Sequence, residues 1–488
     1  MTSTIDDIDR LTAVRPDKRQ AAWQQLEFYA FIHFGMNTMT DREWGLGHED
    51  PALFHPVALD TDQWMRAIKS AGMTGVILTA KHHDGFCLWP SRVTSHSVSS
   101  SPWRDGSGDL VAEAASAARR HGLRFGVYVS PWDRTESTYG SGRAYDDFFV
   151  AQLTELLTRY GPIFSVWFDG ANGESLDGRV QHYDWDRYYE TIRRLQPDAV
   201  ISVCGPDVRW CGNEAGHTRE DEWSVVPGKL RDAERIAEQS QHVDDGRFSR
   251  FVRSDDEDLG SREALSGHLD DLVWYPAEVN TSIRPGWFHH SAEDAAVRTA
   301  EELFEIWCSS TGGNATFLLN VPPDMSGRVA APDERELARL GELIENFRTR
   351  VVPSLAHPST VLGREAGSDA LPTAFSCEFG PRPDTSWRPD PDDPRPAVVL
   401  TFDEPRPVAA VVVSEDIRHG QRVEGVSVRA VVDGDEVVLA EAGSVGYRRV
   451  MRFPAVTVGR LTVTFESARG TPAVATVAAV EGVTTEPT

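Results

Sequence analysis

Eight short apolar runs recur along the first two-thirds of the chain, most of them separated by helical stretches. This alternation constrains the fold more than any other feature. The runs are Phe28–Phe34, Gly75–Ala80, Phe125–Val129, Ile163–Phe168, Ala199–Cys204, Glu222–Val225, Glu278–Ile283 and Phe317–Val321. β-Branched and aromatic residues fill most of them without clean polar alternation, the pattern of strands buried on both faces. Asp109 is placed to cap "DLVAEAASAARRHG", whose alanines supply an apolar face and whose Gly122 supplies a stop. Tyr145–Tyr160, Tyr183–Leu195 and Ala292–Cys308 have similar periodicity. Alternating strand and helix implies parallel strands joined by right-handed crossovers. Eight strands over about 300 residues predict a closed (β/α)8 TIM-like barrel, with an open doubly wound sheet as the rival. The runs near 222 and 278 are weakly patterned, so irregularity is expected there.

The texture changes after Asp333–Arg350, the last helix expected. Residues 380–396, "GPRPDTSWRPDPDDPRP", hold too much proline for a continuous helix or central strand. From Ala397 onward, short runs such as "AVVLTF", "VAAVVVS" and "VSVRAVV" alternate, with turn signals such as Asp433–Gly434 between them. An antiparallel β-sandwich follows. The expected division is a catalytic barrel over 1–350 and a sandwich over 351–488.

Composition excludes several roles. The formal charge of −26 opposes nucleic acid and anionic membrane surfaces, so a neutral substrate is the simplest expectation. No run reaches the roughly 18 to 20 apolar residues of a membrane span, and the N-terminus lacks an export pattern, so a cytoplasmic protein is expected. Cys87, Cys204, Cys211, Cys308 and Cys377 are odd in number and contain no CxxC pair, which fits reduced thiols.

Barrel enzymes carry their reactive groups at the C-terminal ends of strands. The first of these ends holds His33, with Glu43 and Trp44 in the following loop. The second runs into "KHHDGF", with His82 and His83. Tyr128 lies in the third, and Asp169 closes the fourth, two positions after Trp167. Glu214 sits in "CGNEAG" after the fifth, and Arg284 and Trp287 lie in "SIRPGWFHH" after the seventh. Carboxylates, histidines and tryptophans converging on one rim suit a sugar: rings stack on its C–H faces while polar groups bond its hydroxyls.

Each residue also has a plainer role. Asp169–Gly170 is a turn dipeptide, the tryptophans could be core, and Arg284 could pair with a rim carboxylate. Glu214 is hard to separate from Glu220 and Glu222 by composition. Adjacent strand residues point oppositely, so at most one of His82 and His83 is expected at a given site. No HExxH or spaced His/Cys set is present, and neither metal nor cofactor is expected.

Four motifs carry a resemblance: "FIHFGMNT…DREWG", "ILTAKHHDGFCLWPS", "SVWFDGANG" and "GNATFLLNVPPDMSGRV". In order and spacing, from about Phe28 to Arg328, they resemble the family 29 glycoside hydrolases, the retaining α-L-fucosidases. The resemblance implies that Asp169 is the nucleophile. "GNEAG" resembles the branch acting on α-1,3/1,4-linked fucose, which implies Glu214 as acid/base. It further implies a fucose pocket of His33, Glu43, Trp44, His82, His83, Tyr128 and Trp167, with Trp287 against the C5 methyl. Both histidines belong to that pocket, contrary to the alternation argument. The implied substrate is a fucosylated, Lewis-type oligosaccharide. A non-catalytic fucoglycan binder and a retaining glycosidase for a related sugar such as α-L-galactose are the alternatives. The C-terminal segment resembles discoidin-like domains, weakly through "PDTSW", and is expected to pack on the barrel.

Overall fold

The computed structural model describes residues 5–240, 258–363 and 386–482. Cys377, the stretch 380–385 and the tail 484–488 lie outside them.

Ten strands build the first two-thirds: β1 (Phe28–Ile32), β2 (Gly75–Lys81), β3 (Arg124–Val129), β4 (Ser165–Phe168), β5 (Val200–Val203), β6 (Arg209–Trp210), β7 (Val225–Pro227), β8 (Leu272–Trp274), β9 (Ala277–Ser282) and β10 (Ala315–Asn320). Eight of them form one parallel sheet in the order β5-β4-β3-β2-β1-β10-β9-β6. A parallel bridge between Ser202 and Val208 brings its two ends together, so the sheet is a nearly closed barrel. Period-two alternation sends Tyr29, Phe31 and His33 of the first strand and its extension inward. There Tyr29 meets Glu278 of β9, and the Phe31 ring lies 5.1 Å from Trp167 of β4.

The helices follow their sequence signals. Leu110–Arg120 begins where the Asp109 carboxylate accepts from the Ala112 amide at 3.0 Å and stops at Gly122, whose φ of +72° suits glycine. Leu110, Val111 and four alanines make its buried face, and small side chains let it lie close on the sheet. The stretch Ala292–Cys308 is not one helix. A 3-10 turn, Ser291–Ala296, precedes a helix over Ala300–Ser310 that Thr299 and Glu302 cap reciprocally.

The sixth barrel strand is not at Glu222–Val225. It is Arg209–Trp210, registered on Ala277 and Glu278 and reached from β5 with no helix between. Two residues leave no periodic signal. Glu222 is instead buried in ion pairs with Arg209 and Arg219, and Val225–Pro227 pairs antiparallel with Leu272–Trp274 in a separate ribbon.

The barrel's last helix is Ala331–Thr349. Beyond it lie β11 (Leu355–Pro358), β12 (Ala397–Glu415), β13 (Val423–Val432), β14 (Asp435–Ala442), β15 (Arg449–Ala468) and β16 (Val474–Glu481), all antiparallel. Two of the apolar runs belong to one strand, β12. Pro405 is tolerated within it because the pairing with β15 shifts register between Thr401 and Arg406. These long irregular strands wrap the sheet into a sandwich around Trp387, Val411, Leu461 and Val477. Asp433 and Gly434, at φ +54° and +94°, make the two-residue hairpin of β13 and β14. The four described cysteines are free and buried. Among the described residues, no helix is long and apolar enough to cross a membrane.

Sandwich and barrel meet around Glu27, just before β1. Its carboxylate accepts from Arg448 at 2.6 Å, Tyr447 at 2.8 Å and Arg348 at 3.3 Å. Burial alone would raise this carboxyl, but the arginines outweigh it and hold it at about 2, against an ordinary 4.5. Removing the charge takes a carboxylate from Arg448, whose side chain is 6 % exposed. Glu27→Gln is therefore expected to lower unfolding stability by about 3 kcal/mol. The folded pKa is depressed, so the contribution is complete above about pH 4.5 and lost as pH falls toward 2. Urea unfolding at pH 7 and pH 3 should show the parent losing stability that the Glu27→Gln protein never had.

Candidate active site

A cavity opens at the C-terminal ends of the barrel strands. It is lined by Phe31, His33, Trp44, His82, His83, Tyr128, Trp167, Asp169, Ala171, Glu214, Asn280 and Trp287. Nine of these residues are ones the sequence singled out. Aromatic rings form the floor: Tyr128 stacks on Trp167 at 5.4 Å and 26°, and Phe31 meets both edge-on. Trp287 lies 5.1 Å from His33 on the wall.

Asp169 follows directly on β4, whose burial fixes it. Its Oδ2 accepts from the Tyr128 hydroxyl at 2.7 Å and its Oδ1 from the Ala171 amide at 2.8 Å. Gly170 is required here by space: a Cβ would meet the Ser240 hydroxyl at 2.1 Å. Glu214 lines the same cavity, its Oε2 accepting from Trp287 Nε1 at 2.9 Å. Burial pushes its carboxyl up to about 8, the Trp287 bond works against that, and the charges of Asp169 and Glu43 add to it. Glu214 therefore keeps its proton at neutral pH beside a second carboxyl. Neither rival glutamate reaches the cavity: Glu220 is exposed, and both oxygens of Glu222 are held by arginines.

The histidines are neutral. Burial pushes His33 down to about 3 and His83 to about 4, and lowers His82 too. Asn320 uses its amide nitrogen on Ser282 and Trp287, so its oxygen faces His33 Nδ1 at 2.8 Å. His33 then donates through Nδ1 and keeps Nε2 as an acceptor. Ser130 gives its hydroxyl proton to the Trp132 carbonyl and accepts from His83 Nδ1. An unprotonated His83 Nε2 is thus left 3.8 Å from Asp169 Oδ2, free to accept the proton of one ligand hydroxyl. His82 and His83 both line the cavity because β2 ends at Lys81 and the chain turns there, which voids strand alternation. Donor atoms of His82, His83 and Asp169 lie within 4.8 Å of one another and could also take a cation.

Two expected residues stand behind the cavity. Glu43 accepts from the amides of Trp287 at 2.8 Å and Phe288 at 3.0 Å, and His290 Nε2 lies 2.9 Å away, so it tethers the Trp287 loop. Arg284 does not line the cavity. Its fully buried guanidinium is taken by Asp333 at 2.9 Å and Asp294 at 2.8 Å. Sequence reasoning missed Glu278, Asn280 and Asn320. Glu278 accepts from Trp167 Nε1 at 2.7 Å and from the Tyr29 hydroxyl, fixing the Trp167 plane, and Trp210 orients Asn280. The signal was available: Glu278, Asn280 and Ser282 are polar at every second position of a buried strand.

Comparison with known proteins places these features in context. The model of the alpha-L-fucosidase family matches residues 48–347. Alpha-L-fucosidase 1 of Arabidopsis thaliana is 37% identical over 468 residues, covering 94% of this chain and 85% of the relative. A crystal structure from Bacteroides ovatus, provisionally assigned as an α-L-fucosidase, is 41% identical with a TM-score of 0.83, over 99% of this chain and 77% of that one. A Ruminococcus gnavus fucosidase of glycoside hydrolase family 29, solved with fucose, is 26% identical with a TM-score of 0.80, over 96% and 95%.

The Trp287 indole N–H is the group that pulls the Glu214 carboxyl downward. Trp287→Phe removes the bond and keeps the ring, so Glu214 is expected to titrate above about 8. Carbon-13 NMR of labelled glutamate carboxyls would show the shift. An unchanged Glu214 titration would mean that the bond does not set it.

Proposed function

The chain belongs to the alpha-L-fucosidase family of glycoside hydrolases, and from that premise we propose a retaining exo-α-L-fucosidase acting on terminal α-1,3/1,4-linked fucose of branched, Lewis-type oligosaccharides. The observation that carries the proposal is the pair of carboxyls on one cavity: Glu214 protonated by burial, and Asp169 with each oxygen accepting a hydrogen bond. In this reading residues 1–350 are the catalytic unit and 351–488 the packing domain.

Retention needs two displacements. Asp169 attacks the anomeric carbon, the glycosidic bond breaks, and Glu214 gives its proton to the departing oxygen. The sugar is then an ester of Asp169. Glu214, now a carboxylate, takes a proton from water, whose oxygen attacks the same carbon and releases Asp169. The sugar leaves with its original anomeric configuration, and Glu214 is protonated again. Trp287 holds one oxygen of Glu214, so the proton resides on the other. Neutral His33, His82 and His83 bind hydroxyls without contributing charge. The Trp287 ring faces the C5 methyl of fucose and disfavours a C6 hydroxyl by about 1–3 kcal/mol. The linkage preference rests on the place of Glu214 in "CGNEAG".

Asp169→Asn is expected to lower hydrolysis of an aryl fucoside by about 10⁴-fold or more while the fold persists. Near-normal turnover would end the assignment. Glu214→Ala should abolish activity on a Lewis trisaccharide and spare the first step on an activated aryl fucoside, with azide rescuing the second. In the parent, kcat/KM should fall as pH rises through about 8, where Glu214 loses its proton, and Glu214→Ala should lack that limb. Rates on α-1,3-, α-1,4- and α-1,2-linked fucosides test the linkage.

A further inference from the structure

Beneath the loop that carries Trp44 lies a second group of ionisable side chains that the proposed reaction does not use. Glu49 comes from that loop, Asp84 from the turn after β2, and His96 from the segment between β2 and Leu110. One donor atom of each lies within 4.8 Å of the others. Asp84 and His96 are buried, at 1 % and 7 % exposure. Two polar atoms in the group have no hydrogen-bond partner although they are shut off from solvent: Glu49 Oε2 and His96 Nε2. Neither carboxylate is ion-paired among the described residues. Orphaned buried polar atoms are rare and costly, and two in one cluster of one imidazole and two carboxylates have a common remedy.

We propose that Glu49, Asp84 and His96 bind a first-row divalent cation, zinc or manganese in character, which pins the Trp44 loop to the end of β2. The donor set decides the class: imidazole with carboxylates suits zinc, manganese or iron, whereas magnesium and calcium take oxygen donors. Donors about 2.1 Å from one tetrahedral metal stand about 3.4 Å apart, so three atoms that lie within 4.8 Å of one another can close on an ion by side-chain adjustment. The backbone is already drawn in at this point. A Cβ on Gly45 would meet Asp84 Cβ at 2.5 Å and Glu49 Oε1 at 3.0 Å, so the loop packs directly on two ligand residues. Trp44, the next residue back, lines the sugar cavity with its ring 5.6 Å from His83. The cation would thus act as a positioning element and take no part in bond making.

The test uses tag-free full-length protein, stripped with a chelator and titrated calorimetrically with Zn²⁺ alone, then with Mn²⁺ alone. Saturable binding of about one ion per chain is expected, with a melting temperature that rises with metal concentration. Glu49→Gln, at a partly exposed position, and His96→Gln should each weaken binding at least about tenfold, while Asp169→Asn keeps it. In case a variant fails to fold, Cu²⁺ bound to the parent should give an electron paramagnetic resonance spectrum with coupling from one imidazole nitrogen. The absence of saturable binding overturns the proposal, as does coupling from two imidazoles. Binding lost in Asp169→Asn and kept in Glu49→Gln does so as well, since it would put the ion at His82 and His83.

Discussion

A ring of parallel strands turns every second side chain inward at steps of about 6.6 Å, and the site depends on that constraint. It sets Phe31 against Trp167, Tyr29 against Glu278, and His33 against Asn320, although these residues are far apart in sequence. The interior is a stack of aromatic plates tied by a few hydrogen bonds from buried carboxyl and amide groups. Two carboxyls then line one cavity in different surroundings, and burial raises the pKa of Glu214. Glu214 rests against Trp287. Asp169 sits where a hydroxyl and an amide both reach it.

The parts of this design visible in the sequence are those with local physical signatures. Buried parallel strands are apolar throughout, a helix cap is written in Asp109, and Asp433–Gly434 is a hairpin turn at sight. A carboxylate ending an apolar run, as at Asp169, also stands out. What stayed hidden depends on pairing. A two-residue strand such as Arg209–Trp210 has no period, and only its register with β9 makes it a strand. Glu222–Val225 looked like a strand because apolar residues follow a carboxylate that is itself buried in ion pairs. The strand-alternation rule misplaced His82 and His83 because it has no way to see that β2 ends at Lys81. Arg284 and Glu43 have the chemistry of ligand-binding residues, but both spend it on other parts of the protein.

Among the described residues, the antiparallel sandwich braces the barrel and lines no part of the cavity. Its contacts gather on Glu27, Glu222 and Asn314, so strand β1, the Glu222 loop and the approach to β10 are all braced from one side. Glu222 shows the economy of the arrangement. One carboxylate neutralises two buried arginines of the barrel, while its own carbonyl receives Asn314, Gln421 and Ser444. The loop bearing Glu214 is therefore held at its far end by the second domain.

That loop follows the shortest strand of the barrel, β6, which β5 reaches with no helix between. Lengthening or re-routing it would disturb two residues of sheet and leave the other seven staves untouched. A lineage built on this scaffold can thus move Glu214 without rebuilding the wall that holds Asp169.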